Sequence, residues 1–214
     1  MFLFNYILQA AKTGCLKKMG TGMGVVLALL LFFACKRETL DPPEGFDKPV
    51  FYVDYRLGNG KDTIHIMAGV ERIYHFTTFT PGDFMVCSGA FAAVDCPETD
   101  CPGSLKFALR NNVSGNTIDK TIFEPGERLY ADAILLEGGV AIQWVDQNGQ
   151  IWRSDRAIQQ GSSYFHIVKS EPYFNNEKGQ TTQKMEIAFS CQLFKEGGQE
   201  ILFDGTGVMA VAYP

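Results

Sequence analysis

The sequence predicts an all-β protein, an antiparallel β-sandwich, and three observations support this prediction. From residue 51 onward, apolar and polar residues alternate with a period of two over most of the chain. Short runs of β-branched and aromatic residues are separated by Gly, Pro, Asn and Asp, which favour turns. No segment of this part shows a convincing helical period. About eleven short strands joined by turns are typical of a sandwich or barrel.

The first half of the body, residues 49–123, is predicted to be rich in hairpins. Gly58-Asn59-Gly60 tolerates positive φ, so the runs on either side of it should pair as a hairpin. The alternating segments of this half predict strands over 51–57, 63–67, 72–80, 84–94 and 105–110.

The second half, residues 124–214, is predicted to contain the remaining strands. The alternation is clearest near the C-terminus, where Met185, Ile187 and Phe189 face one way while Lys184 and Glu186 face the other. The predicted strands cover 129–136, 140–145, 151–154, 164–169, 185–193, 200–204 and 208–213. The two halves are expected to form either one large sandwich or two small ones packed together.

A short apolar segment near the N-terminus indicates export. The uncharged run 25–33 follows Lys12, Lys17 and Lys18, and no acidic residue precedes Glu38. Nine apolar residues match the core of a signal peptide and are too few to cross a bilayer as a helix. We therefore predict a signal-peptide helix within residues 1–34, with a plain transmembrane or secretory leader as the alternative.

The end of this segment, LFFAC at residues 31–35, resembles the lipobox of bacterial lipoproteins. The resemblance implies that Cys35 becomes the acylated first residue, carrying palmitate-like chains that anchor the protein to a membrane. Lys36 replaces the aspartate of the inner-membrane retention signal, which favours the outer membrane. Residues 35–48 are polar and Pro-rich, as expected for a tether between the lipid and the folded body.

The charge balance excludes several classes of partner. The chain has 19 Lys and Arg against 24 Asp and Glu, a formal net charge of −5. Three of the basic residues lie in the leader, so the exported part is more acidic than the whole. An acidic surface without basic clusters argues against a nucleic-acid partner and against peripheral binding to anionic lipid.

The cysteines suggest one local crosslink. In an exported protein, Cys96 and Cys101 are expected to form a disulfide across the loop CPETDC. Acidic residues crowd the same loop, so a metal site is the alternative, although one Cys pair is a weak zinc signal. Cys191 lies on an apolar strand face, either as a buried free thiol or bridged to Cys87.

The sequence contains no familiar catalytic motif. It has no G-x-S-x-G, H-E-x-x-H or P-loop pattern. His65, His75 and His166 fall inside predicted strands at intervals that no metal motif uses. Calcium at Asp146 and Asn148 is weighed against ordinary turn formation, which is commoner. We predict no catalytic residue, no metal site, no cofactor and no enzymatic activity.

Aromatic residues of the second half give the best indication of a binding role. Trp152 and Tyr173 are candidates for stacking on a sugar or anchoring a protein partner. Packing in the core or between sheets is the alternative, because such aromatic content is ordinary for all-β folds.

The order of several segments carries a family resemblance: IYHFTTF, CSGAF, CPGSLKFALRNN, GVAIQWVDQNG and FSCQLFKEGGQEI, ending in VMAVAYP. This order looks like a group of uncharacterised lipoproteins of Bacteroidota-type bacteria, over most of residues 50–214. The segment 144–149 is also similar to the strand and turn of PKD repeats, an immunoglobulin-like module, but lacks their Gly-Asp-Gly turn. The resembling motifs are structural and bring no activity with them. We predict a lipid-anchored envelope protein with a structural, adhesive or scaffolding role. A carbohydrate-binding accessory lipoprotein is the alternative.

Overall fold

The computed structural model describes residues 51–69, 72–80, 84–96, 100–112, 119–132 and 138–214. Within them are two short 3-10 helices, Lys120–Phe123 and Ser154–Arg156. The strands are β1 Tyr52–Leu57, β2 Ile64–Met67, β3 Arg72–Phe79, β4 Phe84–Ala93, β5 Leu105–Asn112, β6 Gly126–Arg128, β7 Gly139–Val145, β8 Ile151–Arg153, β9 Tyr164–Pro172, β10 Thr181–Lys195 and β11 Glu200–Tyr213.

All eleven strands belong to one antiparallel sheet, which confirms the all-β prediction. The strand order is β2-β1-β11-β10-β8-β7-β5-β4-β3, and β9 pairs with both β10 and β6. The second-half strands β11, β10, β8 and β7 lie between two groups of first-half strands, because β1 pairs with β11 and β5 pairs with β7. The sheet curls until its β3 end approaches β11, which gives a nearly closed, barrel-like arrangement.

Large aromatic side chains fill the inside of the curled sheet. The ring centroids of Phe107 on β5 and Phe189 on β10 are 5.5 Å apart, so opposite walls meet in the centre. Phe203 stacks on Phe189 at 5.2 Å. These three rings have no solvent exposure, and neither do Phe91 and Phe165. The burial of so much apolar surface is the main stabilising contribution to the fold.

The gap between β3 and β11 is closed by side chains instead of a backbone ladder. β1 pairs with β11 only as far as Val208, so the last residues of β11 lack a ladder partner on that side. The Tyr74 hydroxyl on β3 donates to the Ala210 carbonyl at 2.7 Å and accepts from the Ala210 amide at 2.9 Å. Thr78 donates to the Ala212 carbonyl at 2.7 Å. We call these contacts the seam.

One glycine makes the seam possible. A Cβ atom at Gly89 on β4 would overlap the Tyr74 hydroxyl and the Ala210 carbonyl oxygen. The absence of a side chain therefore lets the Tyr74 ring cross β4 and reach β11.

Two expectations about strand boundaries are wrong. The predicted pair of strands 200–204 and 208–213 is the single strand β11. Gly205 and Gly207 resemble a turn in the sequence, but they lie inside β11 where a Cβ would overlap the backbone of β1. The strand predicted over 129–136 is displaced, because the observed strand is β6 and Tyr130 forms only an isolated bridge to Val140. Residues 133–137 lie outside the described residues.

Candidate functional site

The most distinctive feature of the outer surface is a depression across β4, β5 and β7. It has a volume of about 240 Å³. Its lining residues come from five strands and the 3-10 helix after β8: Phe79, Val86, Lys106, Ala108, Arg110, Ala141, Ile142, Gln143, Arg153 and Asp155. Three rows of side chains, each running across the strands, produce it. We call this depression the outer trough.

The floor of the outer trough consists of small side chains. Ala108 on β5 lies opposite Ala141 on β7, and both line the depression. Residues directly opposite each other on neighbouring strands have Cβ atoms about 5 Å apart, so the row is continuous. Because these side chains are short, the longer residues on either side stand above them as walls.

One wall of the trough is polar and cationic. Lys106 on β5 lies opposite Gln143 on β7, which lies opposite Arg153 on β8. Arg153 donates two hydrogen bonds to Asp155, at 2.8 and 2.6 Å, and the Asp155 side chain is almost completely buried. The Arg153 guanidinium is therefore fixed in orientation while its outer part remains in solvent.

The other wall combines apolar side chains with a second cation. Phe79 on β3, Val86 on β4 and Arg110 on β5 form one cross-strand row. The Arg110 guanidinium carbon lies 5.5 Å from the centre of the Phe84 ring, a cation–π contact that holds it at this wall. The outer face of Phe79 is 48% exposed, so an apolar surface is available beside the charge.

Lys106 is held in an unusual electrostatic environment. Partial burial lowers the pKa of its ammonium group, nearby Asp100 raises it, and the neighbouring Arg153 lowers it further. The net direction is downward, since removal from water disfavours the charged form. Among the described residues, neither Lys106 nor Arg110 forms an ion pair with a carboxylate. An anion in the trough would therefore favour the protonated form of Lys106.

The predicted disulfide Cys96–Cys101 is present, with a Cα–Cα distance of 6.1 Å. Its loop contributes to the trough, because Asp100 accepts a hydrogen bond of 2.8 Å from Gln143 Nε2. The crosslink therefore positions a residue that holds the central side chain of the polar wall. Among the described residues, no group of three or more His, Cys, Asp or Glu side chains could hold a metal ion.

The predicted stacking residue Trp152 is half-buried at one end of β10. Its indole nitrogen donates to the Asp146 carboxylate at 3.1 Å, and the Lys195 ammonium lies 5.2 Å from its ring centre. The Trp144 ring is 6.2 Å away. The indole is thus held in a fixed orientation with part of its surface exposed.

The other predicted stacking residue, Tyr173, lies at the opposite end of β10. Its amide bonds to the Thr182 carbonyl, whereas Trp152 pairs with Lys195. These partners, Thr182 and Lys195, are thirteen positions apart on β10, which corresponds to about 43 Å at about 3.3 Å per residue. The Tyr173 ring lies against Phe174 at 4.1 Å and Phe51 at 5.8 Å. The structure does not bring the two aromatic residues together, and neither lines the outer trough.

The remaining sequence candidates have structural roles. Cys87 and Cys191 are both free and buried, so the bridge considered between them is not formed. Burial raises the pKa of each thiol to about 12, and for Cys191 a hydrogen bond from Tyr130 partly opposes that rise. His65 on β2 pairs with Asp54 across to β1.

Asp146 organises the turn that follows β7. One carboxylate oxygen accepts hydrogen bonds from the amides of Asn148 and Gln150, at 2.8 and 2.9 Å. The other oxygen accepts from Trp152. Burial raises the pKa of Asp146, but these hydrogen bonds outweigh that effect and the net shift is downward.

The predicted leader 1–34, the lipidation site Cys35 and the tether 35–48 lie outside the described residues. Within the part of the chain that the structure describes, no helix has the length and apolar character needed to span a bilayer.

Comparisons of the chain with protein-family models, with curated proteins and with solved structures find no significant match.

Sequence reasoning missed the outer trough. Lys106 and Arg110 alternate with buried residues and therefore look like ordinary solvent-facing side chains. The available signal was the two alanines Ala108 and Ala141, at polar-face positions of two separate strands. Alanine is depleted in strands, so its repetition at outward positions indicates a surface kept low.

Proposed function

We propose that this protein is a lipid-anchored, non-enzymatic component of the cell envelope, held at the outer membrane through Cys35. Its β-sheet body serves a structural, adhesive or scaffolding role. The apolar segment ending in LFFAC and the polar tether after it support the anchoring part of the proposal.

The observation that carries the role of the body is its filled interior. Phe91, Phe107 and Phe189 occupy the centre of the curled sheet without solvent exposure. Because these rings fill the centre of the sheet, that part of the interior has no room for a substrate. Partners must therefore bind to the outer surface, as expected for a scaffolding or binding module.

The ionisable groups around the described surface support a non-catalytic role. Asp155 holds Arg153, Asp204 accepts from Arg56 at 3.0 Å, and Glu171 forms ion pairs with lysines on its own and a neighbouring strand. These carboxylates are engaged in structural contacts with cationic side chains. A general acid needs instead a raised pKa and a position beside a substrate cleft.

Lipid anchoring is tested with the full chain expressed in its native host. Intact-mass spectrometry should find a chain that begins at Cys35 and carries acyl groups, and the protein should fractionate with the outer membrane. The Cys35→Ser variant should lose the acyl mass and leave the membrane fraction. A wild-type chain that keeps its leader, or that is recovered free in the medium, would contradict the proposal.

A second candidate function is that of a carbohydrate-binding accessory lipoprotein. The observation that favours it is the outer trough, whose walls combine apolar surface with hydrogen-bonding and cationic groups. Sugar rings have apolar faces and polar edges, and such mixed walls suit them. Binding of the full chain to a glycan array would support this function, and the absence of binding to every glycan would remove it.

A further inference from the structure

We infer that the outer trough binds a linear acidic polysaccharide through uronate carboxylates, with Lys106 and Arg110 as the two anion contacts. This inference rests on the carbohydrate-binding function proposed above and names its ligand class. It is drawn from the charges, the spacing and the floor of the trough.

Two cations of the outer trough have no carboxylate partner among the described residues. The protein as a whole is acidic, yet Lys106 and Arg110 line one depression without an ion pair among the described residues. Other cations of the sheet have partners in the protein: Arg56 and Lys184 pair with carboxylates, and Arg72 donates to the Gly103 carbonyl. A ligand anion would provide partners that the described residues do not.

The two cations of the outer trough stand far apart. Lys106 and Arg110 are four residues apart on β5, which corresponds to about 13 Å along a strand. They stand on opposite walls of the trough and do not converge on one point. A chain lying along the trough therefore has one cation on each side of it, and a single phosphate or sulfate ion could contact only one of them.

The backbone beneath the outer trough favours a sugar polymer over a peptide as the ligand. β4 and β5 are interior strands whose backbone amides and carbonyls are already used in the ladders on both sides. Beside the floor, the backbone of β7 pairs with β5 on one side and bonds to Leu129, Ala131 and Ser154 on the other. An acidic peptide would find no backbone partner on this face. A sugar can instead lay its apolar face on Ala108 and Ala141, against Phe79, and bond its hydroxyls to Gln143.

The positively charged stretch is short. Beyond the Arg110 wall, the neighbouring depression is lined by Asp119, Glu124 and Glu127 together with Arg128. Carboxylates of the ligand are therefore favoured within the trough and disfavoured beyond that wall. The charged sugars that contact the protein should be the few that lie within the trough.

The test measures binding of the full acylated chain, purified in detergent, to polygalacturonate by affinity electrophoresis. Neutral galactan and poly-L-glutamate serve as the other two probes. Polygalacturonate should retard the protein, with an effect that weakens at high salt, while the other two should not. Lys106→Gln and Arg110→Gln should each weaken binding about tenfold or more, since each removes a charge-assisted contact.

Two further variants separate the trough from general charge. Lys178→Gln removes the same charge from an exposed turn and should leave binding unchanged. Ala141→Leu keeps every charge but fills the floor and should abolish binding. If Ala141→Leu does not fold, Lys106→Gln and Arg110→Gln still test the inference.

Several results would overturn the inference. One is unchanged affinity for polygalacturonate in both Lys106→Gln and Arg110→Gln. A second is equal binding of poly-L-glutamate, which would assign the trough to acidic peptides. Binding of neutral galactan alone would leave the carbohydrate-binding function standing and refute the acidic ligand. Correct membrane anchoring without binding to any glycan would leave only the scaffolding role.

Discussion

The seam between β3 and β11 gives the sharpest prediction about stability. In Tyr74→Phe the ring keeps its contacts with Phe51 at 4.4 Å, Phe76 at 5.3 Å and Phe91 at 4.9 Å. Only the hydroxyl is lost, and it serves both the amide and the carbonyl of Ala210, a residue without solvent exposure. The substitution therefore removes only the two hydrogen bonds between the Tyr74 hydroxyl and the backbone of Ala210.

The magnitude follows from those two bonds. Leaving one buried polar group unsatisfied costs about 1–3 kcal/mol, so we expect Tyr74→Phe to lower the free energy of unfolding by about 2–4 kcal/mol. Urea denaturation followed by circular dichroism measures the loss, with the slope of the transition as a check that the compactness of the two states is unchanged. Tyr164→Phe, at an exposed position, should change stability by no more than about 0.5 kcal/mol.

A double-mutant cycle tests whether Gly89 acts through the same contact. Gly89→Ala places a methyl group where the Tyr74 hydroxyl lies and should destabilise the protein by itself. Because the hydroxyl is already absent in Tyr74→Phe, the double variant should be less destabilised than the sum of the two single changes. A loss below about 0.5 kcal/mol in Tyr74→Phe, or strict additivity in the cycle, would refute the role assigned to the seam.

Three further predictions concern the crosslink, the buried thiols and the organised turn. The double change Cys96→Ser and Cys101→Ser should lower the free energy of unfolding by about 2 kcal/mol in denaturation, as expected for a loop this short. Cys87 and Cys191, whose pKa values are raised to about 12, should not react with a thiol reagent at pH 8 until denaturant is added. Because the pKa of Asp146 is lower in the folded than in the unfolded chain, its carboxylate stabilises the fold at pH values above the unfolded-state pKa. This contribution is lost as the pH falls through the folded-state pKa. Tryptophan fluorescence should report that acid transition, and Asp146→Asn should remove it.

The periodicity of the sequence predicts where strands lie better than it predicts how they pair. Alternation correctly separates Leu105 and Phe107 from Lys106, because a strand sends successive side chains to opposite faces. It misplaces the end of the chain, where Gly205 and Gly207 look like a turn although β11 continues through them. Glycine at a close backbone approach and glycine in a turn have the same letter, and only the neighbouring strand distinguishes them.

The sequence does not predict which residues become neighbours in the outer trough, and the reason is related. Its rows join residues from β3, β4, β5, β7 and β8, and their register is set by the strand order of the sheet. Lys106 and Gln143 are far apart in the sequence and become neighbours only through the pairing of β5 with β7. Alternation gives the face on which each residue lies but does not identify its neighbours across the strands.

The alanines of the trough floor connect stability with the inferred ligand. Ala141 lies in the middle of a strand, where β-branched residues pack better against cross-strand neighbours than alanine does. We therefore expect Ala141→Val to leave the free energy of unfolding unchanged or raise it by up to about 1 kcal/mol. The same change should weaken binding to polygalacturonate, because the added methyl groups raise the floor. A variant that is more stable but binds more weakly is expected where a surface is kept open for a ligand. If Ala141→Val binds polygalacturonate as tightly as the wild type, the small side chain has no role in binding.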